Sequence, residues 1–511
     1  MGKTNSQTRG NSKFSRSDAS KKVHLFVLLA LPAIFSFIVT LNLFYRWGAY
    51  YLDAGVQQFS LCNNALGEMP PAHQSFWGQK TIFFIHGIYT PALLCGALKL
   101  FTGSSVVAYI IFCSLQTLLV SLTCYFIVAH YSKSQQLAIF SGFLLGISTF
   151  SLGQMGYPHF ELLGASLLAL GVWLFLEKSK LFGIVVILLG CLTKEDMAGH
   201  LILALGAYWF LSGRHESKNQ RSKFKPILFV ALIGLITNIL ISKIFFNSSS
   251  LLFKMQYMGD PPFSILRDPV ALLQRISIWL TANPGIMGLL FIYSLGYVVT
   301  KERIFLALVL TPLPWIAINL ISPDPAKQTL GIYHGYPFVT YICCLMVFFS
   351  LETKRPLTIW TRPNNTLLIS ALLFNSLIGT LGALPGGSSY LFYYNLKDRP
   401  VSLNTIHSTN DYLRILSIEI EKKNTTLIDD AVASLITEFD SRILNEKSLA
   451  DETSVDTLVY FPNNVLGKSL RDRFSTQQKL TVKYCIVGTN LEMLVAQERT
   501  LNDTGVDLKR C

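Results

Sequence analysis

Nine ionisable side chains stand beside or between long apolar runs: Arg46, Asp53, His86, His159, Glu161, Lys194, Glu195, Asp196 and His334. Ionisable groups near a bilayer are costly, so each needs a reason. Their types allow a limited chemistry. A carboxylate such as Asp53 can act as general base towards a hydroxyl. Lys194 or Arg46 can hold a phosphate and stabilise the charge on a departing one. Acid and histidine together, as in Asp53, His159 and Glu161, can also ligate a divalent ion such as Mg or Mn. No arrangement suggests a Ser-His-Asp or Cys-His nucleophile. Each residue also has a plainer role open to it. Asp53 could cap a helix. Lys194-Glu195-Asp196 could neutralise itself in a loop, and His159 with Glu161 could cap a helix. His86 and His334 could be interfacial histidines, and Arg46 could snorkel.

The elements that must position these groups are membrane helices. Of the 511 residues, 51% are hydrophobic and only 14% charged, against about 25% charged in an ordinary soluble domain. A wholly soluble enzyme and a disordered chain are both excluded. After a basic tail over 1–23, the first apolar run covers His24–Phe44. It is too long for a signal peptide and lacks a cleavage site of small residues, so it reads as a first span with the N-terminus inside. Further runs lie near 82–101, 106–129, 137–152, 160–176, 181–193, 198–212, 226–246, 285–300, 303–321, 336–351 and 366–384.

The run 82–101 can be read as a span or as a re-entrant segment on the outer side, and loop charge separates the two. If it is re-entrant, the inner segments hold 19 Lys/Arg and 5 Asp/Glu, and the outer segments before residue 385 hold 9 and 8. That is the asymmetry of the positive-inside rule. Eleven spans are therefore expected, with all nine ionisable residues on the outer side. Run 181–193 has only about 13 apolar residues, roughly 20 Å of helix against a hydrocarbon core of about 30 Å. Its end should lie recessed, with Lys194, Glu195 and Asp196 lining a protein-walled cavity.

The net charge of +13 sits mostly in short inner loops and is an orientation signal, so no nucleic-acid partner is expected. Six cysteines (Cys95, Cys113, Cys124, Cys191, Cys343 and Cys344) fall inside apolar runs and read as core or lipid-facing thiols. No cysteine spacing suggests zinc or a disulfide framework. Residues 385–511 carry 15 basic and 17 acidic side chains, a soluble balance, after the linker Pro385-Gly386-Gly387-Ser388-Ser389. Helices are predicted over 405–422 and 431–445, and strands over 426–428, 457–461 and 479–487. The expected architecture has three parts: a cytoplasmic tail (1–23), an all-α polytopic membrane bundle with re-entrant outer helices (24–384), and a small extracytoplasmic α/β domain (385–511).

These residues resemble the bacterial membrane proteins grouped as domain of unknown function 2079, which are similar to the C-type (GT-C) superfamily of polyprenyl-phosphate-sugar-dependent glycosyltransferases. Asp53-Ala54-Gly55 corresponds to the family's Asp-x-Gly after the first span. His86 and Pro91 resemble its His and Pro opening the next run, and Gln116 a Gln in the span that follows. His159-Phe160-Glu161 corresponds to its His-Pro-Glu turn, Lys194-Glu195-Asp196 matches without change, and His334 resembles a His before a late span. Phe160 in place of Pro, Tyr157 near where an acid is usual, and the longer His86–Pro91 spacing are departures that weaken the case for metal binding at that turn. The resemblance implies a GT-C-like fold and a catalytic carboxylate in the first outer loop, which carries over to Asp53 alone.

The expected function is sugar transfer at the outer face of the cytoplasmic membrane. The donor would be a polyprenyl-phosphate sugar, and the acceptor a hydroxyl of a glycan, lipid or protein. Asp53 would be catalytic. Lys194, Glu195, Asp196, His159, Glu161, Arg46, His86 and His334 would bind substrate. The alternatives are a transporter or lipid flippase, and a non-catalytic assembly or sensor protein. Against transport, the acids gather at one edge and no paired repeat is visible.

Overall fold

A computed structural model describes residues 16–45, 55–62, 83, 86–212, 218–246, 263–322, 334–352, 362–381, 400–407 and 409, and six strands between 426 and 510. Up to residue 381 the described elements are helical. In chain order they are α1 (Arg16–Tyr45), α2 (Val56–Cys62), α3 (Tyr89–Thr102), α4 (Ser105–Ser132), α5 (Gln135–Gly146), α6 (Thr149–Gly156), α7 (Glu161–Glu177) and α8 (Lys180–Cys191). There follow α9 (Met197–Ser212), α10 (Lys218–Phe246), α11 (Pro269–Ala282), α12 (Pro284–Thr300), α13 (Arg303–Leu310), α14 (Leu313–Ile321), α15 (Pro337–Glu352) and α16 (Arg362–Leu381). Four helical stretches are long and apolar enough to cross a membrane: Phe26–Tyr45, Ser105–Ser132, Ser222–Phe245 and Arg303–Ile321. The pairs α5/α6 and α11/α12, bent by 44° and 85°, bring the number to six if each is one crossing. This is a multi-pass membrane bundle; the expected eleven crossings also count runs whose described helices are apolar but shorter, such as Lys180–Cys191 and Met197–Ser212.

Short polar punctuation sets the helix ends. Ser104, Ser134 and Ser179 each accept a hydrogen bond from a backbone N–H three residues on, starting α4, α5 and α8. Gly103, at φ +72°, ends α3 in the left-handed region that glycine tolerates. The chain can therefore reverse from α3 into α4 within two residues. The hairpin of α7 and α8 is packed closely through small residues: a Cβ on Gly183 would lie 2.4 Å from the Phe175 backbone nitrogen.

Helices α1 and α4 run antiparallel, with Phe44 beside Tyr109 and Phe26 beside Tyr125, both at 6.1 Å between ring centroids. The upper end of the bundle is defined here as the end where α1 finishes. Helix α4 starts at that same end, as a re-entrant 82–101 requires. Val401 N–H donates to Asn42 Oδ1 at 3.0 Å, which ties the start of the tail to the upper end as well.

Three sequence expectations are corrected. Cys62 and Cys95 form a disulfide joining α2 to α3, where the spacing suggested none and Cys95 read as a free thiol. Helix α11 lies between the apolar runs 226–246 and 285–300, where no helix was expected; Asp268 caps its start by accepting from Val270 N and Ala271 N at 3.1 and 3.0 Å. The run 137–152 is two helices with a bend, extending to Gly156.

The tail's strands are β1 (Thr426–Ile428), β2 (Ile443–Leu444), β3 (Thr457–Tyr460), β4 (Val482–Ile486), β5 (Glu492–Val495) and β6 (Leu508–Arg510). They form a sheet of order β2-β1-β3-β5-β4-β6. Neighbours β2, β1 and β3 are parallel, and the other pairings are antiparallel. The predicted strands appear within their bounds. Strand β2 stands where the predicted helix 431–445 would end, because Ile443 and Leu444 pair with Thr426 and Leu427; most of that helix, and of 405–422, lies outside the described residues.

Candidate functional site

The site is built where four chain segments meet below the upper end. The turn between α6 and α7 brings His159 and Glu161. The turn between α8 and α9 brings Lys194, Glu195 and Asp196. The segment before α3 brings His86, and the segment before α15 brings His334 and Tyr336.

Glu161, the first residue of α7, is fully buried and anchors the cluster. One carboxylate oxygen is hydrogen-bonded to His159 Nδ1 and, at 3.4 Å, accepts from Gln154 Nε2. The other accepts from Lys194 Nζ at 3.2 Å. Lys194 is itself buried and lies 3.6 Å from Asp196 Oδ2 and 5.2 Å from the centroid of the Tyr336 ring. The Tyr336 hydroxyl donates to Asp196 Oδ2 at 2.6 Å and lies 3.5 Å from His200 Nε2. On its other side, His200 Nδ1 meets the Tyr341 hydroxyl at 2.7 Å. A continuous chain of titratable groups therefore runs from His159 to Tyr341. Asp196 Oδ1 is buried with no hydrogen-bond partner among the described residues. An unsatisfied carboxylate oxygen in a buried cluster is a place where a ligand would gain by donating a hydrogen bond.

Glu195 faces the other way. Oε1 meets His86 Nδ1 at 2.9 Å, and Oε2 accepts from Gly87 N–H at 3.2 Å. Burial pushes the Glu195 carboxyl up, but the charge and hydrogen bond of His86, then Lys194, outweigh it and hold the group at about 2. The same stretch is fixed twice more: Asn238 Nδ2 donates to Gly87 O at 2.9 Å, and Thr90 N–H donates to Leu192 O at 3.1 Å. The start of α3 is thus latched onto the α8–α9 turn.

Two helices measure the depth of the cluster. Gln116 Nε2 donates to His159 O at 2.9 Å, and Gln116 Oε1 accepts from Leu163 N–H at 3.1 Å. Gln116 lies seven residues down α4 from Tyr109, the residue level with the end of α1, which is about 10 Å of helix. Asn238, which touches Gly87, lies eight residues before Phe246 at the end of α10, or about 12 Å. The cluster therefore lies about 10–12 Å along these two helices from their upper ends.

Six of the expected residues (His86, His159, Glu161, Lys194, Glu195 and Asp196) are in direct contact within this cluster. His334 is buried close by: its carbonyl accepts from Trp315 Nε1 at 2.9 Å, and Trp315 stacks edge-on against His200. Asp53 and Arg46 lie outside the described residues. Gln57 Oε1 accepts from the Tyr109 hydroxyl at 2.7 Å, and that hydroxyl also lies 3.2 Å from Pro158 O. No three His, Cys, Asp or Glu side chains are grouped as metal ligands among the described residues; of the expected set, Asp53 lies outside them.

Sequence reasoning missed Tyr336, His200 and Gln154. His200 carried a signal: it lies four residues after Asp196, in the first turn of α9. Tyr336 follows His334 by two residues, and a tyrosine at the edge of an apolar run is too ordinary to single out.

No family model matches the sequence, and no curated protein matches it. Among solved structures, the chain is similar to the oligosaccharyltransferase of Archaeoglobus fulgidus, crystallised with a disulfide-tethered acceptor peptide containing an NVT sequon. The two are 11% identical with a TM-score of 0.40, over 91% of this chain and 69% of that one. A likeness this loose carries no weight for fold or function.

Proposed function

We propose that the protein is a membrane glycosyltransferase. It transfers a sugar from a polyprenyl-phosphate-linked donor to an acceptor hydroxyl at the upper end of the bundle, on the outer face of the cytoplasmic membrane. The observation that carries this reading is the buried chain His159–Glu161–Lys194–Asp196–Tyr336, set about 10 Å below the end of α1. A recess of that kind takes a headgroup while its lipid tail stays between helices.

In this mechanism Asp53 removes the proton from the acceptor hydroxyl as the oxygen attacks the anomeric carbon. The bond from that carbon to the phosphate oxygen breaks, and polyprenyl phosphate leaves with the electron pair. Lys194 and Arg46 hold the phosphate. Because Glu161 and Asp196 already offset the Lys194 charge, Arg46 carries the larger share. Asp196, with its open Oδ1, and Tyr336 receive the acceptor, and Glu195 with His86 keeps α3 closed over that side. The tail domain grips the rest of the acceptor.

The test is transfer of labelled sugar from polyprenyl-phosphate hexoses and pentoses in membranes. Asp53→Ala should lose at least about 100-fold, the smaller end of what a general base supplies. Equal activity would remove Asp53 from the mechanism. The two bent helix pairs favour a second reading, a lipid flippase or transporter, because broken helices often line translocation paths. That reading predicts lipid movement across vesicles with no label transfer.

A further inference from the structure

We infer that Cys62 and Cys95 form a covalent clamp made on an oxidising side of the membrane, and that this clamp holds the re-entrant segment in place. The inference is independent of the sugar-transfer reading. Both sulfurs are fully buried, the Cα atoms are 4.6 Å apart, and 33 residues separate them in sequence. They join α2, which packs by Gln57 against Tyr109 at the upper end, to the middle of α3. From that point α3 runs back about 9 Å to its start, where Gly87 and Thr90 are held by Glu195 and Leu192. The disulfide fixes one end of this lever and the latch fixes the other.

Disulfides persist where the compartment is oxidising and are rare where glutathione and thioredoxin keep thiols reduced. The five other cysteines described (Cys113, Cys124, Cys191, Cys343 and Cys344) are free and buried in helices. The one cross-link among the described residues is therefore at the upper end, which the clamp assigns to the non-cytosolic side. The lower end, where Arg303 Nη1 donates to Ser212 O at 3.0 Å, falls on the reducing side. The reaction converts two thiols to one S–S bond. Its two electrons and two protons pass to the disulfide of a thiol–disulfide oxidoreductase of that compartment, which is reduced to its dithiol.

The experiment uses the full chain in native membranes. Free thiols are blocked with one alkylating reagent, the protein is reduced, and newly freed thiols are labelled with a second and located by mass spectrometry. Cys62 and Cys95 should take only the second label; if both take the first, the clamp is refuted. Sidedness is read with a membrane-impermeant maleimide. Phe101→Cys, at the exposed tip of α3, should label in intact cells, and Lys178→Cys, between α7 and α8, only after lysis. The reverse pattern overturns the compartment assignment. Amide exchange in detergent tests the lever: in Cys62→Ala/Cys95→Ala, exchange at Gly87 and Thr90 should rise at least tenfold while α7 is unchanged. No change at Gly87 and Thr90 refutes the holding role even if the bond exists.

Discussion

Removing the Lys194 charge should expose how the recess is held together. The ammonium lies 3.2 Å from Glu161 and 3.6 Å from Asp196, with side-chain exposures of 6% for Lys194 and 0% for Glu161. In an effective dielectric of about 20, the Lys194–Glu161 attraction is about 5 kcal/mol, much of it offset by the cost of taking both groups out of water. Breaking such a pair by removing one partner leaves the other charge buried and costs about 3–5 kcal/mol. Lys194→Met and Glu161→Gln should each lose that much in reversible unfolding titrated with SDS in mixed micelles. The double variant should lose less than the sum by about 1–3 kcal/mol, the usual coupling of groups in contact. Strict additivity, or single variants within about 0.5 kcal/mol of the parent, would refute the ion chain. Label transfer by the single variants, read at a temperature where they remain folded, then separates two roles. A cluster that only holds the fold keeps its activity there, whereas one that binds substrate does not.

Three other outcomes follow from the same geometry. Gly183→Ala should loosen the α7–α8 hairpin and cost about 1–3 kcal/mol; Gly206→Ala, with nothing within 4 Å of its Cβ position, should gain up to about 1 kcal/mol from helix propensity. Glu195 is held down to about 2 from 4.5, so its contribution is present above pH 4.5 and lost as pH falls towards 2. The stability gap between the parent and Glu195→Gln should therefore close over that window, and a gap independent of pH would refute the His86 contact. Cys62→Ala/Cys95→Ala, which opens a 33-residue loop, should cost about 4 kcal/mol in the loop-entropy account, and reducing the parent should reproduce the loss in thermal unfolding.

The acids and histidines of the site were legible because charge stands out against apolar runs. His159, Glu161 and Lys194-Glu195-Asp196 were each visible in the sequence for that reason. The shortness of run 181–193 pointed to a cluster set in from the helix ends, and the contacts of Gln116 and Asn238 agree with that. Which acid meets which cation was not: Glu161 and Lys194 are 33 residues apart, and the packing of α7 on α8 decides their contact. The disulfide was hidden because Cys62 lies outside an apolar run and Cys95 inside one, and only the abutment of α2 and α3 brings them together. Positive-inside counting favoured a re-entrant 82–101 where hydropathy could not decide, and the described helices agree in that α1 finishes where α4 starts. In the tail, β1, β3 and β4 are rich in β-branched and aromatic residues and were readable. The short β2 and β6 depend on pairing with neighbours, which no local pattern encodes.

The order of the three residues in the α8–α9 turn matters as much as their charge. Lys194 points to α7, Glu195 to the start of α3, and Asp196 to Tyr336 before α15. Three successive side chains of one turn thus meet three different elements, and each position has its own partner. The swap Glu195→Asp/Asp196→Glu keeps composition and net charge and moves one methylene group. At 195 the shorter carboxylate falls about 1.5 Å short of spanning His86 Nδ1 and Gly87 N–H, beyond the range of a hydrogen bond. At 196 the longer one is driven past the Tyr336 hydroxyl. The swapped protein should show faster amide exchange at Gly87 and Thr90 and lower stability than the parent. A solvated, self-neutralising charge cluster would tolerate the exchange without change, so an indistinguishable swap would mean that charge alone, not direction, explains the motif.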